Sequence, residues 1–341
     1  MAEPRVWALL GKRLGDNSQV LALAEALDLP FEVKNLDYNH WRHLRPRLLG
    51  ATTLSLTKEA RGKLSGELPD LTISAGIRSV PIVRWLRHQS GGRLRSVHVG
   101  YPRLSPSKFD LVVATPEYPI PDDPRLLRIP FALTRRRVDE VDAKFKTAYS
   151  RPRRLVILGG PTLFWSLDEL TIVGALRNLC QRAARDNGSM LVIGSPRTPK
   201  ALLQTAGREV RAARVPAILA PIDGSPSYGE LLHAADEIYV TADSVAMVSD
   251  AIATGKPVGL IPVERSGLGR IYIGTINRLW PGHRVRPRDM RFFWRELEQR
   301  KLVGTLDQPC VGDTQNLAAV VAAQVSSILF DHAEFRDQVD R

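Results

Sequence analysis

An arginine held between two prolines is the first feature of the sequence that could bind an anion. Residues 194–199, GSPRTP, follow the apolar run MLVI and place Arg197 between Pro196 and Pro199. The planar guanidinium can bond two phosphate oxygens at once, and the prolines reduce the freedom that the loop loses on binding. The same residues are also typical of a stiff surface turn with a solvated arginine. The sequence therefore leaves two interpretations of this loop, an anion site or a plain turn.

A second stretch, residues 239–263, carries two carboxylates at helical spacing. It reads YVTADSVAMVSDAIATGKPVGLIPV and predicts a helix over residues 244–254 that stops at Gly255. Asp243 is a candidate amino-terminal cap, and Asp250 lies about 10 Å further along the helix. That distance is close to the reach from the diphosphate to the ribose of one nucleotide. A carboxylate suits ribose because it accepts hydrogen bonds from two hydroxyls.

The two faces of this predicted helix should differ in character. Three apolar residues at helical spacing are expected to face the sheet: Val245, Val248 and Ile252. Asp243, Met247 and Asp250 share another face. A negative charge at Asp243 would repel phosphate at the helix start unless capping neutralises it. Whether this helix can serve a nucleotide therefore depends on what Asp243 contacts.

A basic loop with an acidic residue follows the first predicted strand. In residues 9–19, LLGKRLGDNSQ, two glycines bracket the loop, and Asp16, Asn17 or Ser18 would cap a helix over residues 18–26. The loop is either an ordinary connection or a substrate loop in which the amino end of the helix faces an anion or a sugar. The pattern is neither GxGxxG nor a P-loop, and so it predicts no dinucleotide or ATP site.

Two further polar residues follow predicted strands in the first half. Arg78 lies in the turn of SAGIRSVPIVRWLR, and suits a ligand contact as well as solvent. Glu117 lies in a proline-bounded loop after a strand, where a partly buried carboxylate can act as a general base. The alternative for Glu117 is a capping or solvated side chain. Ligands of open parallel sheets bind at the carboxyl ends of the strands, which is where both residues fall.

The elements that must position these residues alternate between apolar runs and helix-length stretches. The predicted strands cover residues 6–10, 71–74, 96–99, 111–114, 155–158, 190–193, 217–219, 237–241 and 258–261. Helical patterns separate several of them, which predicts βαβ units and parallel sheets. A charged stretch over residues 134–154 interrupts the alternation. We therefore predict two α/β domains with a ligand cleft between them.

Composition narrows the functional classes. The chain has 341 residues, 44% of them hydrophobic, which is enough for two domains with full cores. Its 48 basic and 36 acidic residues give a formal net charge of +12, which favours an acidic partner. Cys180 and Cys310 cannot form a disulfide framework or a cysteine metal site, which fits a reducing compartment. No signal peptide or membrane-spanning run is recognisable, so we expect a cytoplasmic protein.

Five segments together resemble a known family. They are GKRLGDNSQVLALAEAL, PDLTISAGIRSVPIVRWLR, LGGPT, SPRTP and VTADSVAMVSDAIATGKPV. The last resembles the donor-site helix of GT-B glycosyltransferases, in which an acidic residue five positions before the closing glycine binds ribose; Asp250 and Gly255 keep that spacing. The whole set resembles the mitochondrial-fission "elongated mitochondria" family, whose bacterial members are glycosyltransferase-like. Residues 267–287 depart from the family pattern and are interpreted as an insertion.

The resemblance implies an α/β fold of two Rossmann-like domains that face each other across a cleft, the GT-B type. Residues 1–135 would form the acceptor-side domain, residues 136–153 a linker, and residues 154–325 the domain that binds the nucleotide sugar. Residues 326–341 would be a helix that crosses back to the first domain. Because one fold hosts many functions, activity has to be argued from the site.

The resemblance also implies an inverting, metal-independent glycosyltransferase that uses a nucleotide-diphosphate sugar and no other cofactor. Asp16 would take the acceptor proton as the base, with Glu117 as second choice. The donor-binding residues would be Gly160, Thr162, Ser195, Arg197, Thr198, Thr241, Asp243, Ser244 and Asp250. The acceptor-binding residues would be Gly15, Asn17, Gln19 and Arg78. A metal is not expected, because the pair Asp122-Asp123 lies among prolines and is typical of a turn.

Three alternatives belong to other functional classes. A non-catalytic scaffold on the same fold would recruit a partner at a membrane and would neither transfer sugar nor hydrolyse nucleotides. An epimerase of nucleotide sugars is disfavoured because the sequence has no GxGxxG and no Tyr-xxx-Lys pair. Nucleic-acid binding is not expected, because it rests on the net charge alone and no reading motif is present.

A membrane contact is the remaining partner that the sequence suggests. The acceptor would be lipid-linked or an envelope glycan, and the protein would lie on the inner face of the membrane. Four aromatic residues are candidates for contact with an anionic surface: Trp280, Phe292, Phe293 and Trp294. Phe293 and Leu297 suit a helix core equally well.

Overall fold

The computed structural model describes residues 3–135, 141–222, 224–281 and 288–339; residues 136–140 of the predicted linker and the last two residues of the predicted carboxy-terminal helix lie outside this range. The strands, β1 to β13, are Val6–Leu10, Phe31–Asn35, Leu71–Ala75, Arg95–Val99, Leu111–Ala114, Leu126–Arg128, Arg153–Leu158, Trp165–Ser166, Ser189–Gly194, Ala217–Ala220, Glu237–Thr241, Val258–Ile261 and Glu264–Arg265. The helices, α1 to α12, are Leu14–Ala26, Pro46–Leu49, Lys58–Gly62, Val80–Gln89, Ala143–Ala148, Glu169–Arg185, Lys200–Ala212, Tyr228–Ala234, Val245–Ala253, Gly267–Leu279, Met290–Gln299 and Leu317–Val339.

The first compact unit comprises Met1–Arg135 and Gln315–Arg341. Its six-stranded sheet has the order β2-β1-β3-β4-β5-β6, and neighbouring strands are parallel. Helices α1 and α12 share one apolar core with the sheet, and α4 contributes Val80, Val83 and Leu86 to a second core. Helices on both faces of a parallel sheet make this unit Rossmann-like.

The carboxy-terminal helix α12 belongs to the first unit over its described length. Its buried residues follow a helical stripe, and they share a core with Val20 and Leu23 of α1: Ala318, Val321, Ala322, Val325 and Leu329. This stripe starts at Ala318, in the first turn of α12. Residues 315–325, which we predicted to belong to the second domain, therefore lie with the first unit. The apolar spacing explains the early start, since the first turn already faces α1.

The second compact unit is Arg136–Thr314. Its five-stranded parallel sheet has the order β10-β9-β7-β11-β12, and a short antiparallel ribbon pairs β8 with β13. Helices α6 and α7 pack on the sheet in one apolar core. Part of the predicted linker is ordered as α5, whose first turn is capped by Asp142 Oδ1, which accepts a hydrogen bond from the Phe145 N–H at 2.7 Å. The charged stretch is therefore partly helical, because its aspartate supplies an amino-terminal cap.

None of the helices in the described ranges has the length and apolar character that a membrane crossing requires.

Candidate functional site

Three loops of the second unit meet where strands β7, β9 and β11 end. Strand β7 lies between the other two in the parallel sheet, so the residues that follow these strands share one edge. We call residues 159–160, 195–198 and 241–244 the loop cluster. Seven of the predicted donor residues fall in it: Gly160, Ser195, Arg197, Thr198, Thr241, Asp243 and Ser244.

A buried carboxylate lies at the centre of the loop cluster. Asp243 is only 1% exposed, and its Oδ2 accepts hydrogen bonds from the Gly160 N–H at 3.0 Å and from Arg197 Nη2 at 3.1 Å. Its Oδ1 accepts a bond from the Thr241 hydroxyl at 2.7 Å. The predicted role of Asp243 as the cap of the following helix is therefore wrong. Residue Ser244 occupies the cap position of α9, and among the described side chains none caps this helix end.

Arg197 joins the three loops through its guanidinium. Besides the bond to Asp243, Nη1 donates to the Gly160 carbonyl at 3.2 Å, while 47% of the arginine side chain stays exposed. Within the described part of the chain these two bonds use two of the five N–H groups of the fork. The guanidinium is thus fixed in orientation, partly neutralised by Asp243, and still accessible with further donors.

Thr198 and Thr241 are bonded to the backbone of neighbouring loops. The Thr198 hydroxyl lies 2.8 Å from the Leu158 carbonyl and 2.6 Å from the Gly159 carbonyl, and it accepts the Ser195 N–H at 2.7 Å. The Thr241 hydroxyl accepts the Gly159 N–H at 2.7 Å. Both threonines are buried. Their hydroxyls therefore shape the loop cluster, whereas we predicted from the sequence that both threonines bind the donor.

The two glycines after β7 make room for the protein's own loops. A Cβ on Gly159 would lie 2.1 Å from Asp243 Oδ1, and a Cβ on Gly160 would lie 2.3 Å from the Arg197 carbonyl oxygen. Side chains at these positions are excluded because backbone and buried carboxylate already fill the space. The glycines thus allow Asp243 and Arg197 to approach the loop.

Replacement of Gly160 by alanine should lower the free energy of unfolding by about 2 kcal/mol, because the new methyl group overlaps backbone that cannot yield freely. Urea unfolding measures the effect. Gly174→Ala is the matched control: this glycine is exposed on α6 with no atom within 4 Å of an added Cβ, so we expect a gain of about 0.5–1 kcal/mol. A Gly160→Ala protein as stable as the parent would contradict the packing described for the loop cluster.

Thr162 and an unpredicted tryptophan border the loop cluster. Thr162 forms a tight turn, since its N–H donates to the Trp165 carbonyl at 2.8 Å. Trp165 packs edge-on against Trp294 of α11, with ring centroids 4.6 Å apart. The Trp294 indole N–H donates to the Ala242 carbonyl at 2.8 Å. Trp294 therefore supports the loop between β11 and α9, a role that sequence spacing could not indicate.

Asp250 lies on α9 and contacts a tyrosine from the preceding helix. The Tyr228 hydroxyl, at the start of α8, donates to Asp250 Oδ2 at 3.2 Å. Burial raises the pKa of Asp250 from 3.8 to about 7, a shift that the tyrosine bond opposes. Burial, with the Asp250 charge adding to it, also raises the pKa of Tyr228 well above its ordinary value. Val245, Val248 and Ile252 are buried as predicted, so Asp250 lies away from the sheet.

In the first unit, Asp16 lies in the first turn of α1. This helix begins at Leu14, so the predicted start at Ser18, with Asp16, Asn17 or Ser18 as cap, is wrong. Asn17 instead fixes the loop after β1: its Oδ1 accepts the Gly11 N–H and its Nδ2 donates to the Gly11 carbonyl, both at 2.8 Å. These two hydrogen bonds to Gly11 take the place of a side-chain cap, and they let α1 start earlier than predicted.

The carboxylate of Asp16 rests against the turn after β3. Gly76 in that turn has a φ of +74°, and a Cβ there would lie 2.8 Å from Asp16 Oδ2. Asp16 and the turn of Arg78 are thus adjacent, although 60 residues separate Asp16 from Gly76 in the sequence. Two strand ends of the parallel sheet, β1 and β3, bring them together.

Tyr38 is a third member of this group that the sequence did not indicate. It is buried, and burial is the main reason that its pKa is raised; the Arg78 charge opposes the shift, while Asp16 and Asp37 add to it. Of the other predicted acceptor residues, Gln19 donates to the Gly15 carbonyl at 3.3 Å within α1. Asp16, Arg78 and Tyr38 therefore make up the polar group at this sheet edge.

Glu117, the second-choice base, is enclosed by the first unit. Only 1% of it is exposed, and its Oε1 accepts a bond from the Thr115 hydroxyl at 2.9 Å. A carboxylate that exchanges a proton with a substrate has to come within hydrogen-bond reach of it. Asp16 is partly exposed, so the geometry favours Asp16 over Glu117 as the candidate base.

The four aromatic residues proposed for a membrane contact differ in environment. Phe293 is fully buried, and Trp294 is bonded inside the unit. Phe292 lies beneath the Arg295 guanidinium, 5.5 Å from ring centroid to Cζ. Trp280, at the end of α10, is 61% exposed. Of the four, Trp280 has the exposure that a surface contact needs, while Phe293 and Leu297 are helix core.

Within the described residues, no group of three or more His, Cys, Asp or Glu side chains is placed to hold a metal ion. Asp122 instead pairs with Arg128 at 3.0 Å, and Asp123 accepts the Arg125 N–H at 2.9 Å, as expected of a turn.

Comparison with known sequences gives one family. The profile of the family described as "Mitochondrial fission ELM1" matches residues 14–324. A search of curated proteins finds no match.

Solved structures with the same architecture cover nearly the whole chain. The structure of UDP-GlcNAc 2-epimerase from Methanocaldococcus jannaschii has a TM-score of 0.50 and 12% identity, covering 94% of this chain and 99% of its own. MurG from Acinetobacter baumannii gives 0.45 and 11%, over 95% and 99%. The lipopolysaccharide outer core galactosyltransferase WaaB gives 0.40 and 11%, over 86% and 95%. At 12% identity the likeness to the Methanocaldococcus jannaschii structure concerns the fold alone, and the predicted α/β fold of GT-B type is confirmed.

Proposed function

The chain belongs to the mitochondrial fission ELM1 family, and from that premise we propose that its glycosyltransferase-like scaffold binds a nucleotide-diphosphate sugar and transfers the sugar. The observation that carries the proposal is the position of Arg197. Its exposed guanidinium is held 3.1 Å from the buried carboxylate of Asp243, which directly precedes the amino end of α9. A fork of donors and a helix amino terminus adjoining each other form a suitable cradle for a diphosphate.

The contacts of Asp243 remove the main objection to this cradle. An ionised aspartate near the helix start would repel phosphate, but Asp243 is paired with Arg197 and with two further donors from the protein. The pair is close to neutral, so a diphosphate would be held by the remaining guanidinium N–H groups and by the first amides of α9. Ser195 and Ser244, at the rim of the loop cluster, would add hydroxyl donors.

Asp250 would hold the ribose of the nucleotide. It lies two turns along α9 from the cradle, and the Tyr228 hydroxyl occupies one of its oxygens, which orients the other. Because α9 rises 1.5 Å per residue, the carboxylate is about 9 Å from the helix start. That length matches the step from a diphosphate to the ribose hydroxyls.

The affinity for a nucleotide sugar should therefore rise with pH through the pKa of Asp250, which is about 7. Ribose hydroxyls donate to the carboxylate, and below that pKa the group is protonated and loses acceptor capacity. Between about pH 6 and about pH 8 we expect a gain of up to tenfold in isothermal titration calorimetry. A nucleotide sugar is the suitable probe, because its diphosphate has no terminal phosphate group that titrates in this range.

Asp250→Asn is the control for this pH dependence. The variant should bind more weakly at about pH 8 and show a flat profile. In the unliganded protein the sign is the opposite for stability: the folded pKa lies above 3.8, so stability falls as pH rises from about 4 through 7 and levels off above it. A wild-type affinity that is constant with pH, or a profile that persists in Asp250→Asn, would count against ribose binding by Asp250.

For the chemical step, we assign the proton transfer to Asp16. The acceptor hydroxyl would attack the anomeric carbon from the side opposite the nucleoside diphosphate, which inverts its configuration, while Asp16 takes the hydroxyl proton. The amino end of α9 would stabilise the charge on the leaving diphosphate without a metal ion. The acceptor is a lipid-linked or envelope glycan hydroxyl, and the net charge of +12 favours work at an anionic membrane surface.

A second candidate is epimerisation of the bound nucleotide sugar. The Methanocaldococcus jannaschii protein of this fold is named as a UDP-GlcNAc 2-epimerase, so the missing GxGxxG and Tyr-xxx-Lys motifs do not exclude that activity here. The scaffold alternative uses the same fold without chemistry. The epimerase, the scaffold and the glycosyltransferase would share the proposed donor site. They would differ in whether a product forms and in which product it is.

A thermal-shift screen followed by product analysis tests the proposed function. Nucleotides and nucleotide sugars that bind the native protein raise its melting temperature, and uridine diphosphate sugars come first because of the name of the similar structure. Transfer releases a nucleoside diphosphate only when an acceptor is present, whereas epimerisation changes the sugar without release. Binding without either product supports the scaffold. A screen in which no nucleotide shifts the melting temperature would refute the proposed donor site.

A further inference from the structure

Helix α10 presents an apolar stripe to solvent, interrupted by Thr275, which is also exposed. Four large residues lie on it at spacings of three, four and eleven residues from the first: Leu268 at 61% exposure, Ile271 at 71%, Tyr272 at 43% and Leu279 at 59%. Trp280 follows the last turn and is 61% exposed. In a helix this spacing places the side chains on one face. Single exposed apolar residues are ordinary, but several large ones on one face of a helix mark an interaction surface.

Another face of α10 is fixed to the second unit. Gly269 packs against the Phe164 carbonyl, 2.1 Å from where a Cβ would lie, and Ile273 is 1% exposed. The Ser266 hydroxyl caps the helix by accepting the Gly269 N–H at 3.0 Å and donates to the Leu163 carbonyl at 2.8 Å. The exposed stripe is therefore held in place, and it is not the inner face of a detached helix.

The charges on α10 indicate its partner. Helix α10 has two arginines, Arg270 and Arg278, and no aspartate or glutamate. Both arginines are exposed. An apolar stripe with a terminal tryptophan, on a helix whose charged side chains are all arginines, fits the boundary of an anionic bilayer, where apolar side chains enter the acyl region and arginines meet the lipid phosphates. A protein groove would need the stripe but not a helix whose charges are all positive.

We propose that α10 and Trp280 form a membrane-binding surface that lies in the interface of an anionic bilayer. The helix is about 20 Å long, and lies on the membrane instead of crossing it. This surface would supply the membrane contact on which the proposed function relies. It lies on α10, because Phe293 and Trp294 of α11 are packed inside the unit.

Vesicle sedimentation tests the proposed surface. The probes are vesicles of equal parts phosphatidylcholine and phosphatidylglycerol, and vesicles of phosphatidylcholine alone. The wild-type protein should bind the anionic vesicles, and the double variant Ile271→Gln, Leu279→Gln should bind them at least about tenfold more weakly, because two apolar side chains no longer gain from burial. Arg270→Gln and Arg278→Gln should each weaken binding by about fivefold.

The matched control is the double variant Leu170→Gln, Val311→Gln, which changes two apolar residues of the same unit that are 81% and 56% exposed but lie outside α10. It should bind vesicles like the wild type. Equal vesicle binding by the stripe variant, or binding that ignores phosphatidylglycerol, would overturn the proposal. So would light scattering that shows a wild-type dimer which the stripe variant breaks, because the stripe would then cover a second copy.

Nucleotide binding is read separately in the same variants. A stripe variant that keeps the nucleotide-induced rise in melting temperature but loses the vesicles supports the surface with a correctly folded protein. If no variant and no wild-type sample responds to nucleotides while vesicle binding follows the stripe, the proposed function fails and the membrane surface stands.

Discussion

Substitution of Asp16 by asparagine is expected to lower the turnover of sugar transfer by about 10²- to 10⁴-fold, the usual contribution of a general base. Asparagine keeps the shape of the side chain against Gly76, where the carboxylate lies 2.8 Å from the position of a Cβ, but it cannot take up a proton. The loss should appear in kcat with little change in KM for the donor, because donor binding is assigned to the second unit. Steady-state kinetics with the donor found by the thermal-shift screen measures it.

Two variants make the result specific to Asp16. Asp37→Asn removes another carboxylate that acts on Tyr38 and that lies 3.9 Å from Lys12, and it should leave kcat within about twofold of the wild type. Glu117→Gln tests the second-choice base, which the burial of Glu117 disfavours. An Asp16→Asn protein with normal kcat, or a loss confined to Glu117→Gln, would contradict the assignment of the base. A protein that binds donor but never turns over would support the scaffold.

Replacement of Arg197 by alanine is expected to weaken nucleotide-diphosphate binding by about 10- to 150-fold, which corresponds to about 1.5–3 kcal/mol for hydrogen bonds to a charged group. The guanidinium is oriented by Asp243 and the Gly160 carbonyl, so little entropy is lost when phosphate binds it. Calorimetry with the nucleoside diphosphate of the best donor measures the change.

The structural part of Arg197 has to be separated from its part in binding. Removal of the arginine takes away the positive partner of the buried Asp243 and one of its three hydrogen-bond donors. The free energy of unfolding is therefore measured alongside the affinity. Arg197→Lys retains a positive charge near Asp243 without the planar fork. Its affinity for the nucleoside diphosphate should lie between those of the wild type and Arg197→Ala. Arg211→Ala, at the other end of α7 and about 16 Å from its start, is the control. Unchanged affinity in Arg197→Ala would remove the arginine from the site.

The framework of the fold was accessible from the sequence because buried parallel strands are continuous apolar runs. Each of the nine predicted strands is present, and four of them have the predicted boundaries: Val6–Leu10, Leu111–Ala114, Glu237–Thr241 and Val258–Ile261. The edge strands β2 and β6 were missed. Four of the five β2 residues are at least partly exposed, as are all three of β6, so neither leaves an apolar signal.

The site was predictable in its position but not in its contacts. Loops that follow adjacent parallel strands must meet, which is why Arg197 and Asp243 could be assigned to one place. Which side chain satisfies which backbone group depends on packing between residues far apart in sequence. For this reason we predicted Asp243 as a helix cap from the sequence, although it is the buried partner of Arg197. Tyr228 and Tyr38 carried no signal at all, because their partners come from other elements.

A crystal structure of the chain with the nucleoside diphosphate that raises its melting temperature most tests the central claim directly. We expect phosphate oxygens within hydrogen-bond distance of the Arg197 guanidinium and of the first amides of α9, and ribose hydroxyls bonded to Asp250. A nucleotide bound elsewhere on the chain, with Arg197 still bonded only to Asp243 and Gly160, would contradict it.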